Sequence, residues 1–367
     1  MSKLKAGIIG SGKIAQVRHI PEYLQRNDVE LVAICDVNLQ RVKKIAQTHN
    51  ISFATNKQSE ILQSSDIELI SICTPNALHS KYALEALNHN KHVLVEKPMA
   101  TNLKDLKKLY KTARKHNLVL MPGHNQRFDP VHRQVKELID NKAIGNIIQF
   151  TSNYQHPGPQ FWSVDKENSW FFNKKLSSFG ALGDLAIHKL DLIQWLINQT
   201  FSEWFVAKNK AHDSRASISL RTRSGIVGSI NVSWNNPLQD HRTVLYGTKG
   251  TIVFGEELHE VSIHRFNGET IILALICVSI IFTNIFTYNT TTKEALTFVS
   301  IIAMSGICVV WKKYCIRRQR FGFAKEVRDR NWKCFDFKKV HQCLIFVSKS
   351  DNEGIVNTVV VFNAKLL

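Results

Sequence analysis

Asp184 and His188 stand four residues apart in ALGDLAIHKLDLIQWLIN, a segment whose apolar periodicity predicts a helix over residues 181–198. Side chains at this spacing share one face of a helix. A carboxylate and an imidazole placed in this way can form an oriented acid–base unit. A lone histidine on an amphipathic helix is more often structural, so the interpretation depends on what the rest of the chain places beside the pair.

Three polar clusters come directly after predicted strands, at the points where those strands end. They are Thr74-Pro75-Asn76-Ala77-Leu78-His79, Glu96-Lys97-Pro98 and Gly123-His124-Asn125-Gln126-Arg127-Phe128. Each cluster alone is explained by local structure, because proline is common in turns and at helix starts and Asn76 could be a helix cap. Because the carboxyl ends of parallel strands face one crevice, the three clusters together favour a site.

The predicted crevice depends on the strand–turn–helix unit of residues 5–24, which would lie beside it. An apolar strand over residues 6–9 runs into Gly10-Ser11-Gly12-Lys13-Ile14-Ala15, a G-x-G-x-x-A turn. Gly10 makes the tight turn, Gly12 lets a pyrophosphate approach the backbone, and Ala15 lets helix and strand pack closely. The free N–H groups at the helix start, near Lys13 and Ile14, then face the phosphates.

A carboxylate at the end of the second strand completes this dinucleotide fingerprint. The strand over residues 29–35 ends at Asp36, 24 residues after Gly12. A carboxylate there accepts hydrogen bonds from a ribose 2′-OH and repels a 2′-phosphate, which favours NAD. The nearby Arg41 leaves NADP open. The alternative is a glycine-rich turn that binds no nucleotide.

Strand and helix signals alternate along the first part of the chain, which predicts a Rossmann domain over residues 1–122 with a parallel sheet and helices on both faces. The pattern then changes. A strand over 146–154, the helix over 181–198 and alternating strands over 203–266 predict an α+β second domain, 123–367, with a largely antiparallel open sheet.

The motifs GxGxxA, TPNxxH, VEKP and GHNQRF, in this order and spacing, resemble the glucose–fructose oxidoreductase/inositol dehydrogenase (Gfo/Idh/MocA) family. The resemblance covers residues 5–266. It implies that Lys97 lies in the active site beside the nicotinamide, where an ammonium can stabilise developing alkoxide charge. It also implies a group of residues along the cofactor, namely Thr74, Pro75, Asn76, His79 and Glu96.

The D-x-x-x-H pair matches the second signature of that family. The match implies that His188 exchanges a proton with the substrate hydroxyl and that Asp184 orients its neighbours. The chain departs from the family at Ser178-Phe179-Gly180, where a glycine run is usual. Candidate substrate residues, chosen by position alone, are Asn125, Arg127, Tyr154 and Trp162. In the family one face of the second sheet covers the active site and the other commonly forms an oligomer interface, so a homo-oligomer is expected.

These observations predict an NAD(P)-dependent oxidoreductase that transfers a hydride between the nicotinamide and a hydroxyl-bearing carbon of a sugar, cyclitol or related polyol. Two alternatives stay open, an NAD-dependent glycosidase of the same fold and a non-catalytic, membrane-tethered dinucleotide binder. The sequence does not name the sugar or cyclitol.

The composition limits the classes of partner and cofactor that the chain is expected to bind. The net charge of +18 is scattered over helix faces, and no nucleic-acid motif accompanies it, so no nucleic-acid partner is expected. The seven cysteines form no C-x-x-C pair and no metal-ligand spacing, so no metal is expected. Reduced thiols, and a first strand that begins by residue 6, favour the cytoplasm.

Residues 270–320 are an atypical insert. Two apolar runs, 271–286 and 296–311, are short for membrane spans, and basic residues follow the second. A helical hairpin over 271–311 would attach the protein to a membrane, whereas buried strands or a core helix are the alternative. Residues 321–330 and 350–367 predict two C-terminal helices that pack back on the first domain.

Overall fold

The computed structural model describes residues 3–209, 213–255 and 260–274 and two strands, 346–350 and 356–359, the last two and Ala274 by backbone alone. The chain forms two compact units, 1–256 and 257–367. The first unit contains the glycine turn, the three polar clusters and the Asp184–His188 pair.

The first sheet has the strand order β3-β2-β1-β4-β5-β6, and every neighbouring pair is parallel. Its strands are β1 Leu4–Ile9, β2 Val29–Cys35, β3 Phe53–Thr55, β4 Leu69–Ile72, β5 His92–Val95 and β6 Leu120–Pro122. This is the doubly wound order, in which the strand order reverses between β1 and β4 and a ligand crevice opens at their carboxyl ends.

Helices connect these strands and bury their apolar stripes on the sheet. They are α1 Ile20–Leu24, α2 Leu39–His49, α3 Gln58–Gln63, α4 Asn76–Asn88, α5 Leu103–Lys115 and, after β6, α6 Pro130–Asp140. α2, for example, buries Val42, Ile45 and Ala46 against Ile8 and Ile34 of the strands. The predicted α/β Rossmann class is confirmed.

One local feature differs from the predicted first helix. Residues Ala15–His19 form a turn of π-helix, which lies between the helical residues 13–14 and the α-helix Ile20–Leu24. Wider π turns occur often at functional sites. Here the turn contains the buried His19, whose imidazole reaches Glu96 after β5.

The second sheet of the first unit runs β12-β11-β7-β10-β9-β8. Its strands are β7 Ile147–Gln155, β8 Phe201–Lys208, β9 Arg215–Thr222, β10 Val227–Ser233, β11 Thr243–Gly247 and β12 Gly250–Phe254. The β7–β10 pair is parallel and the others are antiparallel, so the predicted largely antiparallel sheet is confirmed. The short α7, Lys174–Ser177, leads into α8, Ala181–Ile197, which packs on β7, β9 and β10.

The second unit contains an antiparallel series of strands, β13 Glu260–Arg265, β14 Thr270–Ala274, β15 Phe346–Ser350 and β16 Val356–Val359. The predicted helix over 350–367 is therefore wrong at β16, where the segment Val356-Asn357-Thr358-Val359 is rich in β-branched residues that favour strands. The other predicted C-terminal helix, 321–330, lies outside the described residues.

The predicted membrane hairpin over 271–311 is not supported where the structure describes it. Residues 271–274 belong to β14, and residues 275–311 lie outside the described part of the chain. Within the described residues, no helix has both the length and the apolar character that crossing a bilayer requires.

Candidate active site

The glycine turn has the geometry that a dinucleotide requires. Gly10 has a φ of +100°, and a Cβ there would meet the carbonyl oxygen of Cys73 at 2.4 Å. Only glycine relieves both the strain and the contact. A Cβ on Gly12 would meet nothing within 4 Å. The backbone is therefore open at Gly12, where the fingerprint lets the pyrophosphate approach.

Asp36 lies directly after β2, beside the same turn. One carboxylate oxygen, Oδ2, accepts from the Ser11 amide at 2.7 Å and from the Ser11 hydroxyl at 2.8 Å. The other, Oδ1, accepts from the amide of Asn38 at 2.9 Å. The carboxylate is thus anchored at the end of β2, with Ser11 and Asn38 fixing its orientation.

In the cluster after β4, Thr74 offers an unpaired hydroxyl and Asn76 makes a structural contact. Thr74 Oγ1 is buried and has no hydrogen-bond partner among the residues that the structure describes. Pro75 precedes the first residue of α4, Asn76, whose side-chain Nδ2 donates to the Ser177 carbonyl at 2.9 Å. Asn76 is therefore no cap, and it links the two halves of the first unit. An unpartnered hydroxyl at a strand end is a donor and acceptor left for a ligand.

His79 and Glu96 are held by the protein itself. The two ring nitrogens of His79 lie 2.8 Å from the Pro98 carbonyl oxygen and 2.7 Å from that of Thr74. His79 thus braces the loops after β4 and β5. Glu96 contacts His19 Nε2 at 2.9 Å through Oε1, and its Oε2 accepts from the Lys97 amide at 3.2 Å. Both residues stabilise the backbone that carries Lys97.

Lys97 and Asp184 form an ion pair between the end of β5 and the first turn of α8. Lys97 Nζ lies 2.6 Å from Asp184 Oδ1 and donates to the Asp184 carbonyl at 3.1 Å. The side chains are 14% and 4% exposed, so the pair is shielded from water. Trp234 Nε1 donates to the second carboxylate oxygen at 3.3 Å. Asp184 therefore contacts both the Lys97 ammonium and the Trp234 indole, and its role in a reaction stays a prediction.

His188 lies one helical turn after Asp184, and its ring contacts Tyr154 with centroids 5.5 Å apart. Its Nδ1 is buried without a hydrogen-bond partner among the described residues. Burial, and then the charge of Lys97, hold the pKa of His188 well below its ordinary value of 6.5. The imidazole is neutral at pH 7 and can accept a proton.

Arg127 is paired with a carboxylate of α8. Its guanidinium makes a two-point contact with Asp191 of α8, at 2.7 Å from Nε and 2.5 Å from Nη2. His124 Nδ1 lies 3.8 Å from the same carboxylate, and burial lowers the pKa of His124. The loop after β6 is thus fixed to α8 by an ion pair. Asn125 lies exposed in that loop, in a 3₁₀ turn.

Aromatic rings form one wall beside the Asp184 carboxylate. Trp162 packs on Phe171 with centroids 5.1 Å apart, and Phe171 packs on Trp234 at 5.9 Å. Tyr154 contacts His241 at 4.8 Å, and burial raises the pKa of Tyr154 to about 12. Such rings with a few convergent polar groups are typical of small-molecule sites.

Several residues that the motifs did not assign also belong to this region. Lys189 is buried, donates to the His241 carbonyl at 3.1 Å, and has its pKa lowered to about 8 by burial. Phe179 lies against Gly183, where a Cβ would come within 2.3 Å of it. His19 and Trp234 complete the set. Of these, only Phe179 gave a sequence signal, as the departure from a glycine run.

Comparisons with known proteins identify the family of both domains. Residues 4–124 match the model of an oxidoreductase family with an NAD-binding Rossmann fold, and residues 132–253 match the GFO/IDH/MocA C-terminal domain. The chain therefore belongs to the Gfo/Idh/MocA oxidoreductase family, and its first domain is the NAD-binding domain of that family.

Its curated relatives include two named dehydrogenases. Levoglucosan dehydrogenase of Pseudarthrobacter phenanthrenivorans is 27% identical over 70% of this chain and 75% of its own. Myo-inositol 2-dehydrogenase of Thermotoga maritima is 26% identical over 71% and 77%. The solved levoglucosan dehydrogenase in complex with NADH and levoglucosan aligns at a TM-score of 0.65, with 26% identity over 72% of this chain and 76% of that one.

The residues present fit a bound dinucleotide. The open backbone at Gly12 and the anchored Asp36 carboxylate suit pyrophosphate and ribose. The unpartnered Thr74 hydroxyl offers a further polar contact. Within the described residues, no cluster of three or more histidines, cysteines or acidic residues could hold a metal ion.

Proposed function

We propose that this protein is an NAD-dependent dehydrogenase that oxidises a secondary hydroxyl of a sugar, cyclitol or related polyol, or reduces the corresponding ketone. The observation that carries the proposal is the shielded ion pair of Lys97 with Asp184, one helical turn from the neutral His188. A polarising cation and a proton acceptor are the two groups that alcohol oxidation requires beside a hydride acceptor.

In the oxidation direction, His188 takes the proton of the substrate hydroxyl. Lys97 stabilises the negative charge that develops on the same oxygen, and Asp184 holds the ammonium in place through its 2.6 Å contact. Bound NAD⁺ supplies the acceptor for the hydride that leaves the carbon. One C–H and one O–H bond break, a C=O bond forms, and the proton stays on His188 until solvent removes it.

The aromatic wall and the relatives support a sugar or cyclitol as the substrate. Trp162 is exposed and offers a ring face for the C–H face of a pyranose or cyclohexane ring, and it is supported from behind by the buried Phe171 and Trp234. The named relatives act on levoglucosan and myo-inositol. Tyr154 and Trp162 are proposed as substrate contacts. Arg127 is proposed to have a structural role, because its ion pair with Asp191 attaches the loop after β6 to α8.

The test is to incubate the full chain with NAD⁺ and a panel of cyclitols, aldoses and glycosides and to follow the absorbance of reduced nicotinamide. Turnover of at least one polyol that is lost in His188→Gln supports the proposal. Sugar release from a glycoside without net NADH would point to a glycosidase. Tight NADH binding without turnover of any polyol in the panel would contradict dehydrogenase activity on this substrate class.

A further inference from the structure

Arg41 forms an ion pair that reaches from the cofactor domain to the second domain. Its Nη2 lies 2.5 Å from Oδ1 of Asp165, a residue 124 positions away along the chain. The side chains are 23% and 38% exposed, so the pair is partly shielded from solvent. Asp165 precedes a 3₁₀ turn in the loop between β7 and α7, which also carries Trp162.

Arg41 also lies close in sequence to the anchored carboxylate of Asp36. It is in the first turn of α2, where its amide donates to the capping side chain of Asn38 at 2.9 Å. Asn38 in turn donates from its amide to Asp36 at 2.9 Å. A basic residue near the end of β2 is what an enzyme uses to accommodate the 2′-phosphate of NADP. The availability of Arg41 therefore bears on the choice between the two cofactors.

The charges of this region are unfavourable for a 2′-phosphate while the ion pair is intact. The guanidinium of Arg41 is already paired with the carboxylate of Asp165, and Asp36 adds a second carboxylate at the end of β2, five residues before Arg41. A phosphate monoester carries a charge of about −1.5 to −2 at neutral pH, so it would have to displace Asp165 from Arg41. A ribose hydroxyl is neutral and requires no such exchange.

We infer that Asp165 is a cofactor-specificity residue that acts from the second domain, by occupying Arg41 and so favouring NAD over NADP. This inference rests on the proposed function only in that the dinucleotide binds at the glycine turn. The preference for NAD over NADP then depends partly on the loop between β7 and α7, which also carries Trp162, and partly on the Asp36 carboxylate at the end of β2.

The experiment measures the dissociation constants of NADH and NADPH by fluorescence titration of the full chain, with no substrate present. Asp165→Asn should tighten NADPH binding by about tenfold, the range for one gained charge-assisted hydrogen bond to phosphate, and leave NADH within about threefold. The double variant Asp165→Asn/Arg41→Met should return NADPH to the weak binding of the parent, because the guanidinium is then absent.

Glu167→Gln is the matched control, since it removes one exposed carboxylate from the same loop. It should leave both dissociation constants unchanged. Asp165→Ser provides a second substitution if Asp165→Asn does not fold, as judged by thermal unfolding.

Three results would overturn the inference. They are an equal change for both dinucleotides in Asp165→Asn, no change for either, or failure of the parent protein to bind either one. Because binding is read without turnover, a chain that prefers NADH but oxidises no polyol would refute the proposed function and leave the inference about Asp165 standing.

Discussion

Lys97 Nζ and Asp184 Oδ1 lie 2.6 Å apart, and this contact joins the end of a parallel strand in one domain to the first turn of a helix in the other. A buried charge without its partner is costly, so each residue depends on the other for its ionised state. The contact brings the two family motifs together, because His188 follows Asp184 by one helical turn.

Lys97→Met should lower kcat/KM by about 10²–10³-fold, the range for losing one group that stabilises developing negative charge. The affinity for NADH, measured by fluorescence titration, should change little. The variant also leaves the Asp184 carboxylate buried without a cation, which should cost about 3–5 kcal/mol in the free energy of unfolding.

The double variant Lys97→Met/Asp184→Asn separates these two effects. Removing the orphaned charge should recover most of the stability in urea unfolding, while activity stays low. Full turnover in either variant would show that Lys97 has no part in the chemistry.

As the proposed base, His188 should set the acid limit of the reaction. Its pKa lies well below 6.5, so the neutral base is present throughout the neutral range and is lost only as the pH falls through that lowered value. The pH profile of kcat/KM should therefore stay flat from neutral pH down past about 6.5, the ordinary histidine value. His188→Gln should lower kcat by about 10²–10⁴-fold, the range for general acid–base catalysis.

His89→Gln is the matched control, because His89 is an exposed histidine at the end of α4. Its profile should superimpose on that of the parent protein. An acid limb centred at or above about pH 6.5 in the parent would contradict the environment described for His188.

Much of the first domain and of the site was predictable, because the signals involved are local. The G-x-G-x-x-A turn, the alternation of strands and helices, and the spacing of Asp184 and His188 each depend on a few neighbouring residues. The resemblance then connected Lys97 to the second domain. The residue roles themselves, and the domain boundary at residue 122, stay predictions.

The contacts that were not predictable join residues far apart in the chain. Arg127 looked like a substrate ligand, but Asp191, 64 residues later, holds its guanidinium. Arg41 left NADP open because nothing near it indicated Asp165. Such ion pairs form where the domains pack against each other, so they cannot be predicted from local propensity or periodicity. The start of the first apolar run, residues 271–274, belongs to strand β14, which was one of the alternatives left open because a short apolar run suits a strand or a helix.

The two glycines of the turn should respond differently to alanine. Gly10→Ala places a Cβ 2.4 Å from the Cys73 carbonyl oxygen in a backbone with φ of +100°, so the fold should lose about 1–3 kcal/mol. Gly12→Ala meets no protein atom within 4 Å, so the melting temperature should stay near that of the parent.

Gly12→Ala should nevertheless weaken NADH binding by about tenfold or more, because its methyl group occupies space that the pyrophosphate approaches. Calorimetric melting and NADH titration on both variants check the two effects. Unchanged NADH affinity in a folded Gly12→Ala protein would place the dinucleotide elsewhere.

His19 should make the stability of the fold depend on pH in the alkaline range. Burial alone would lower the pKa of His19, but Cys73 and Glu96 beside it raise the value to about 10. A histidine whose folded pKa exceeds its unfolded value of about 6.5 stabilises the fold fully below that pH, and the contribution disappears as the pH rises through about 10. His19→Gln should therefore cost about 1–3 kcal/mol near pH 6, the range for a hydrogen bond to a buried charged group.

Urea unfolding of the parent and of His19→Gln at several pH values tests this relationship. The difference between the two proteins should shrink steadily from pH about 7 to about 10, since over this range the unfolded chain has released the proton that the folded imidazole still holds. In a Glu96→Gln background the pH dependence should be weaker, because the carboxylate that contacts the imidazole at 2.9 Å is gone while Cys73 remains. A difference that stays constant across this pH range would mean that His19 is neutral and contributes by packing alone.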